Sequence, residues 1–350
     1  MQCEYPRFAR SVIVVVLGAG SFLSVTPTSS TNAPGSSEHS QSGSGTWSYC
    51  KCPEVSGLID ICFVTSKVGW ALASTGQVLV SRDGGKTWTV IRTAGKGEDF
   101  RSIAFINERI GLAVGGGGYA SDRDILPKCI RTDDGGQSWK EVLIDPNITT
   151  ADGIFKVQWI TDAKAFIIGS CIYRSDNTGL EWKVINKGAP ASPFLGRLVS
   201  GERGWFVRSH KLVTTNDGGA SIEKDDGALR AMIRAGDSGI GSVVAWSDKC
   251  LWIYGLSNEQ ALQTTDSGEN WRAQGTLPTK NIQDVIFVSE LVGWCASYDA
   301  NKRESTFYRT DDGGNTWKSS QTLATRARRF FFLNSTQGWA AAGDAILRLE

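Results

Sequence analysis

The stretch SRDGGKTW, Ser81–Trp88, returns almost letter for letter as TDDGGQSW at Thr132–Trp139 and as TDDGGNTW at Thr310–Trp317. Less regular copies are SDNTGLEW at Ser175–Trp182, TNDGGASI at Thr215–Ile222 and TTDSGENW at Thr264–Trp271. The third positions of successive octets lie 40 to 51 residues apart. A period of about 40 to 50 residues is typical of a four-stranded propeller blade. The octet is therefore predicted to be a building unit of a repeat protein.

Each octet combines residue types that stabilise a tight turn. The hydroxyl of the first residue and the carboxylate of the third can accept backbone N–H groups. Glycine adopts positive φ without a steric penalty, and tryptophan covers the neighbouring strand. A calcium loop is the alternative, but it needs a twelfth-position Glu that the octets lack, so no metal site is predicted. The residues given this structural role are Asp83, Trp88, Asp134, Trp139, Asp217, Asp266, Trp271, Asp312 and Trp317.

A second mark, an apolar stretch that most often begins with Gly-Trp, occurs seven times. The marks open at Gly69, Gly111, Ala165, Gly204, Leu251, Gly293 and Gly338. Between the marks and octets the apolar residues alternate as they do in strands. Each repeat is therefore predicted to form a four-stranded sheet, and radial stacking of such sheets buries both of their faces.

Seven marks but only six octets are present, so one repeat is incomplete. The C-terminal stretch GWAAAGDAILRLE supplies only inner strands, whereas Thr46 and Trp47 carry the Thr-Trp pair that elsewhere ends an octet. We expect an all-β fold: a seven-bladed β-propeller of four-stranded antiparallel blades, with the ring closed by the N-terminal strand.

The N-terminal region has the composition of an export signal followed by a tether. Arg7 and Arg10 precede an apolar run of about 15 residues, as in a signal peptide. An uncleaved membrane anchor is the alternative. We assign residues 1–25 to the signal peptide or anchor, residues 26–45 to a flexible Ser/Gly/Thr linker and residues 46–350 to the propeller. The expected location is periplasmic, lumenal or extracellular.

Charge and histidine content exclude several classes of function. The 37 basic and 36 acidic residues give a net charge of +1, which does not favour a nucleic-acid partner. The two histidines, His39 and His210, do not favour a histidine-based metal site or catalytic triad. We predict no cofactor and a monomeric chain.

The octets resemble the Asp-box (BNR) repeat, and the run DICFVTSKVGWALASTGQVLVSRDGGKTW from Asp60 to Trp88 is similar to the repeat unit of the photosystem II stability/assembly factor family. The resemblance covers residues 46–350. It implies an exported or lumenal non-catalytic scaffold with an arginine-rich face that docks onto a client membrane protein. The third and fourth octets depart from the pattern because they lack the Asp or the Trp.

The same repeat also occurs in sialidases and in xyloglucan-cleaving glycosidases, so a carbohydrate-active hydrolase or glycan-binding propeller is the alternative. A glycosidase needs two carboxylates about 5 to 10 Å apart. The candidates near the starts of inner strands are Asp60, Asp99, Asp152, Asp237 and Asp284. Spacing does not select a pair, and no sialidase entry motif opens the first blade.

The stretch TRARRFFF, Thr325–Phe332, begins the seventh inner strand and carries three arginines. When the repeats are aligned on the second mark, Arg329 falls in the column of Asp60, Ser102, Lys156 and Asp284. We expect a cationic patch at one mouth of the central channel, suited to bidentate capture of carboxylates from a protein client. The alternative is that these side chains only solvate a strand end. The predicted partner-binding residues are Arg101, Lys156, Arg197, Arg326, Arg328 and Arg329.

Removal of the leader would leave seven cysteines, an odd number. In an exported protein we expect one or two disulfides, with Cys50 or Cys52 tying the closing strand to a neighbouring blade. The other cysteines lie in apolar strands and are expected to be small buried residues.

Overall fold

The computed structural model describes residues 45–93, 98–117, 125–188, 194–255, 260–279 and 281–350. These residues form seven four-stranded antiparallel sheets. Consecutive sheets contact one another, and the last inner strand contacts the first, so the sheets form a closed ring. The prediction of a seven-bladed β-propeller is confirmed. The residues predicted as a signal peptide or anchor, 1–25, and all but the last residue of the predicted linker, 26–45, lie outside the described residues.

The strands follow one another from the channel outward in each blade. Blade 1 has β2 (Leu58–Phe63), β3 (Gly69–Ala73), β4 (Val78–Ser81) and β5 (Thr89–Arg92). Blade 2 has β6 (Phe100–Phe105), β7 (Gly111–Gly115), β8 (Lys128–Thr132) and β9 (Lys140–Val142). Blade 3 has β10 (Ile154–Trp159), β11 (Ala165–Gly169), β12 (Cys171–Ser175) and β13 (Lys183–Lys187). Blade 4 has β14 (Leu195–Leu198), β15 (Gly204–Arg208), β16 (Lys211–Thr215) and β17 (Glu223–Lys224).

Helix α1 (Asp226–Arg234) connects blades 4 and 5. Blade 5 has β18 (Ile240–Ala245), β19 (Leu251–Gly255), β20 (Gln260–Thr264) and β21 (Arg272–Thr276). Blade 6 has β22 (Ile282–Phe287), β23 (Gly293–Asp299), β24 (Glu304–Thr310) and β25 (Lys318–Leu323). Blade 7 has β26 (Arg329–Asn334), β27 (Gln337–Ala341), β28 (Ile346–Leu349) and, as its outer strand, β1 (Trp47–Tyr49). Among the described residues, α1 is the one helix, and no helix is long and apolar enough to cross a membrane.

The N-terminal strand closes the ring, as predicted. Strand β1 pairs antiparallel with β28, and Trp47 lies opposite Leu349. The side chain of Gln321 in blade 6 holds Trp47 from both sides, because its Oε1 accepts the Trp47 N–H at 2.7 Å and its Nε2 donates to the Trp47 carbonyl at 2.9 Å. Lys51 then forms a bridge with Thr87 of blade 1. The closing segment therefore joins the last blade to the first.

The octets form the turns that the sequence predicts. In the first octet the backbone N–H of Gly85 donates to Ser81 Oγ at 2.8 Å. The Asp83 carboxylate accepts the backbone N–H of Thr87 at 3.0 Å and its hydroxyl at 2.6 Å. Gly85 has a φ of 85°, in the left-handed region. The other octets repeat this network, and in the third octet Asn177 takes the place of the aspartate.

Aromatic rings join neighbouring blades. Trp339 of blade 7 stacks on Phe63 of blade 1 with ring centroids 3.6 Å apart, and Phe63 meets the edge of Trp88 at 5.7 Å. The same triad joins blade 1 to blade 2 and blade 5 to blade 6. The tryptophans of the two sequence marks therefore pack around one inner-strand phenylalanine, which explains why both marks recur.

The indole of the second mark also reaches the octet of the next blade. Trp70 Nε1 donates to the carbonyl of Gly135 at 2.9 Å, and Trp252 and Trp339 make the equivalent bonds. In blade 4, Trp205 Nε1 has no hydrogen-bond partner. The equivalent carbonyl, that of Ser267, instead accepts Arg203 at 3.2 Å.

This difference between two equivalent tryptophans gives a paired prediction. Trp70→Phe should lower the free energy of unfolding by about 1 to 3 kcal/mol more than Trp205→Phe, because only Trp70→Phe leaves a buried carbonyl without its donor. Urea unfolding of both variants measures the difference. Equal losses would contradict a stabilising role for the indole hydrogen bond.

The expected disulfides are absent from the described residues. The seven cysteines from Cys50 to Cys295 are free thiols. Cys62, Cys129, Cys171, Cys250 and Cys295 are buried in separate blades or strands, as small apolar residues, whereas Cys50 and Cys52 pack with partial exposure beside blade 1. The prediction of a disulfide on the closing strand is therefore wrong for this structure.

Candidate functional site

The direction of the strands determines which residues lie at each end of the channel. Each inner strand begins at one face of the ring and ends at the other, and antiparallel pairing then places every octet at the face where the inner strands end. The six predicted partner-binding residues lie at or near the starts of inner strands. The octets and the cationic residues therefore occupy opposite faces.

The pairing register of the inner strands confirms the column of equivalent positions that alignment of the repeats predicts. Asp60, Ser102, Lys156, Asp284 and Arg329 each pair with the equivalent position of the second strand of their blade. In the first four cases a β-bulge comes just before the column residue. A bulge bends the strand and redirects a side chain. The bulged residues in blades 2 and 6 are Arg101 and Gln283.

Arg329 lies between two carboxylates from its neighbouring blades. Its Nε is 3.8 Å from Asp60 Oδ1 of blade 1, and its Nη1 is 3.8 Å from Asp284 Oδ1 of blade 6. The Arg329 side chain is 19% exposed and that of Asp284 is 2% exposed. Both distances exceed an ordinary hydrogen bond, so the three groups interact mainly through their charges.

The same carboxylates also bind the backbone of the next blade. Asp60 Oδ2 accepts the N–H of Ile103 at 2.9 Å, and Asp284 Oδ2 accepts the N–H of Phe330 at 2.6 Å. Inner strands have one unpaired edge, which exposes such N–H groups. Asp60 and Asp284, considered above as glycosidase carboxylates, therefore hold adjacent inner strands together.

Lys156 faces this group from blade 3. Burial, followed by the positive charges of Arg329 and Arg197, lowers the pKa of Lys156 well below its ordinary value. The carboxylates of Asp60 and Asp284 act in the opposite direction, with smaller effects.

Arg197 comes from blade 4, two positions further along its strand than the column. Its Nη1 donates to the carbonyl of Ala245 in blade 5 at 3.4 Å, and burial lowers its pKa to about 10. Burial also raises the pKa of Asp284 to about 7, against the opposing effects of Arg329, the Phe330 N–H and Lys156. Lys156, Arg197, Arg329, Asp60 and Asp284 together are called the channel cluster below.

Two further arginines lie on the rim of the channel, outside this cluster. The Arg326 guanidinium lies 5.0 Å from the centre of the Tyr298 ring and donates to Gln283 Oε1 at 3.2 Å. Arg328 Nε is buried without a hydrogen-bond partner. Burial, then the charge of Arg326, lowers the pKa of Arg328. Within the described residues neither guanidinium pairs with a carboxylate. Arg326 and Arg328 together are called the rim pair below, and Tyr298 is the tyrosine that accompanies it.

Arg101 belongs to neither group. It pairs with Asp99 at 2.8 Å, donates to the carbonyl of Gly117 at 2.9 Å and lies over the Phe155 ring at 4.9 Å. Asp152 accepts Thr149 within a local turn. The structure thus divides the six predicted residues into three in the channel, two on the rim and one in a local ion pair.

Sequence reasoning missed Tyr298 and Gln283. Tyr298 is the sixth residue of the mark that opens at Gly293, GWCASY, and this position carried a signal of its own, because an arginine side chain can stack on an aromatic ring. Gln283 directly precedes a column residue. The direction of the Gln283 side chain depends on the β-bulge at this position, which the sequence pattern does not show. Within the described residues, no group of three His, Cys, Asp or Glu side chains could hold a metal ion.

Comparisons with known proteins agree with this architecture. Residues 39–196 match the family model described as Photosynthesis system II assembly factor YCF48. The chain is 23% identical over 333 residues to the photosystem II stability/assembly factor HCF136, chloroplastic, of Cyanidioschyzon merolae, which covers 86% of this chain and 74% of that relative. The chain is a β-propeller whose sequence is similar to those of photosystem II assembly factors.

The fold of this assembly factor-like propeller is similar to two kinds of solved structure. The structure described as YCF48 bound to D1 peptide has a TM-score of 0.68 and 19% identity, and the match covers 87% of this chain and 96% of that one. The GH74 xyloglucanase from Xanthomonas campestris has a TM-score of 0.61 and 12% identity, with 86% of this chain and 53% of that chain covered. These similarities concern the fold.

Proposed function

We propose that the assembly factor-like propeller is an exported, non-catalytic scaffold that docks an acidic segment of a protein client at the channel mouth. The observation that carries the proposal is the rim pair. Arg326 and Arg328 are adjacent cations on a rigid strand entrance, and neither pairs with a carboxylate of the described chain. Guanidinium groups in this arrangement suit carboxylates of another polypeptide.

The aromatic side chain of Tyr298 stabilises the position of Arg326 in the rim pair. The Tyr298 ring contacts the Arg326 guanidinium, so the guanidinium is held in place before a partner arrives. Such preorganisation reduces the entropy cost of ordering a long side chain on binding. A polypeptide ligand is consistent with the neighbour described as YCF48 bound to D1 peptide. Export rests on the basic and apolar leader.

The hydrolase alternative has less support from the channel. A glycosidase needs one carboxyl group as acid and a second as nucleophile or base, both directed at the substrate. Asp60 and Asp284 instead accept backbone N–H groups of adjacent blades and flank Arg329. The positions of Asp60 and Asp284 support a structural role for both carboxylates. We therefore propose a non-catalytic function.

The proposal predicts that charge reversal at the rim abolishes client capture. The double variant Arg326→Glu with Arg328→Glu should lose the polypeptide that wild-type protein captures by crosslinking in native membranes. Arg329 is left unchanged, because a glutamate there would face two buried carboxylates. The measurement is mass spectrometry of the crosslinked products, with circular dichroism to check folding.

A matched control is available on the opposite face. Arg82→Glu with Lys86→Glu makes the same change in charge at two exposed octet residues. The control should capture the same polypeptide as the wild type. If both double variants lose it equally, the effect comes from net charge, and if neither loses it, the rim is not the docking site.

A further inference from the structure

An arginine directly precedes the octet in blades 2, 3 and 6. In each of these blades it lies opposite the first residue of the outer strand, so the three positions are equivalent. Each arginine forms an ion pair with the aspartate at the second octet position: Arg131 with Asp133 at 2.5 Å, Arg174 with Asp176 at 2.9 Å and Arg309 with Asp311 at 2.7 Å. An ion pair therefore occupies this part of the hairpin in three of the blades.

Blade 5 lacks this ion pair. Gln263 stands at the position of the arginines, opposite Arg272, and Thr265 stands at the position of the aspartates. The shorter glutamine side chain bonds within the blade, because its Oε1 accepts Gln274 Nε2 at 2.5 Å and its Nε2 donates to Cys250 Sγ at 3.6 Å. A cavity of about 290 Å³ lies at this place, and its lining consists of Gln263, Thr265, Asp266, Asn270 and Arg272.

Every residue that lines this cavity has a polar side chain. Within the part of the chain that the structure describes, the Arg272 guanidinium and the Thr265 hydroxyl have no hydrogen-bond or ion-pair partner. Asn270 Nδ2 donates to Asp266 Oδ2 at 2.8 Å, whereas a hydroxyl makes the equivalent bond in octets 1, 2, 4 and 6. The Asn270 amide therefore brings an additional acceptor, its oxygen, to the cavity of blade 5.

The charges and the size of the cavity determine the class of ligand. The Asp266 carboxylate only accepts hydrogen bonds, and the Arg272 guanidinium only donates them. An ion of either sign would be repelled by one of these two groups, whereas a hydroxyl group donates and accepts through the same atom. The volume lies near the lower end of the range for ligand pockets, roughly 300 to 1,000 Å³. A small neutral molecule with several hydroxyl groups therefore fits this cavity.

We propose that the cavity of blade 5 binds one sugar ring of a saccharide. The Arg272 guanidinium and the Thr265 hydroxyl donate to oxygens of the sugar, and Asp266 and Asn270 accept from its hydroxyl groups. The cavity belongs to an octet, so it lies on the face opposite the rim pair and is separate from the channel cluster. Saccharide binding goes beyond the docking function and does not depend on it.

Four monosaccharides serve as probes: D-glucose, D-galactose, D-mannose and D-xylose. Saturation-transfer NMR of the full-length protein should show saturable binding of at least one of them. The expected dissociation constant is about 1 mM, because a ligand with so few atoms makes few contacts. Glycine, a zwitterion that carries both charges but no hydroxyl group, should not displace the sugar at the same concentration.

Two variants test the position of the site. Arg272→Met removes the one cation of the lining and should weaken sugar binding by at least about tenfold. The matched control is Lys318→Met, at the equivalent first residue of the outer strand of blade 6, which should bind the sugar like the wild type. Gln263→Arg with Thr265→Asp introduces the ion pair of blades 2, 3 and 6, fills the cavity and should abolish binding. Thermal unfolding checks that each variant is folded.

Four results would overturn the proposal. Three of them are the absence of saturable binding of all four sugars, equal affinity in the wild type and both cavity variants, and displacement of the sugar by glycine. The fourth is loss of sugar binding from Arg326→Glu with Arg328→Glu but not from Arg272→Met, which would place the sugar at the rim. Failure of the rim variant to lose the client would leave the cavity unaffected, because the rim pair takes no part in it.

Discussion

Trp47→Ala should lower the free energy of unfolding by about 3 to 5 kcal/mol, the usual loss for a buried tryptophan. Trp47 is 1% exposed and is the main anchor of the three-residue strand that closes the ring. It stacks on Phe307 at 5.2 Å and meets the edge of Trp294 at 5.7 Å, both in blade 6. Urea unfolding followed by tryptophan fluorescence measures the loss.

The matched control lies two residues away on the same strand. Tyr49 is 52% exposed, so Tyr49→Ala should change stability by about 0.5 kcal/mol or less. If the two variants lose similar stability, strand β1 is not held by its aromatic anchor. A small loss from Trp47→Ala alone would show that the ring closes without this strand.

Asp284→Asn should make the protein more stable than the wild type at pH 8, by about 3 to 4 kcal/mol, with little difference near pH 4. Burial raises the pKa of Asp284 to about 7 in the folded protein. Because the folded state holds this proton more tightly than the unfolded state, the wild type loses stability as the pH rises from about 4 to 7. Asparagine does not titrate and retains the acceptor for Phe330. Chemical unfolding at several pH values measures the difference.

An octet aspartate provides a control of opposite sign. Burial is the largest single cause and raises the pKa of Asp134, but the hydrogen bonds from Ser138, Thr132 and the Gln137 N–H together outweigh it and lower the pKa to about 2. Its contribution is therefore present above pH 4 and is lost as the pH falls toward 2. Asp134→Asn should show a constant difference from the wild type between pH 5 and 8. A flat profile for Asp284→Asn would contradict the burial of its charge in the channel.

The repeats in the sequence were enough to predict the fold. The six octets and seven marks specify blade number, strand order and even closure by Trp47, because each repeat must bury two sheet faces against its neighbours. The helix α1 was missed. Asp225 accepts the Ala228 N–H as its N-cap, and Ala228 and Met232 are buried one turn apart, so the signal was present in the sequence.

The candidate site could be predicted only in part. The column containing Arg329 follows from repeat alignment and is confirmed by the register. Its ion pairs with Asp60 and Asp284 depend on which blades lie beside blade 7 and on how far each side chain reaches, which alignment does not specify. The prediction of a disulfide was wrong because cysteine spacing along the chain does not show which blades and strands hold the thiols.

The most direct test of the account places a photoreactive amino acid at Tyr298, beside Arg326 of the rim pair, and a second at Leu180, which is 55% exposed in an octet on the opposite face. Each full-length protein is irradiated in native membranes and its adducts are identified. We expect a specific polypeptide adduct from position 298 that is lost when Arg326 and Arg328 are changed to glutamate, and none from position 180. The same adduct from both positions, or from position 180 alone, would contradict docking at the channel mouth.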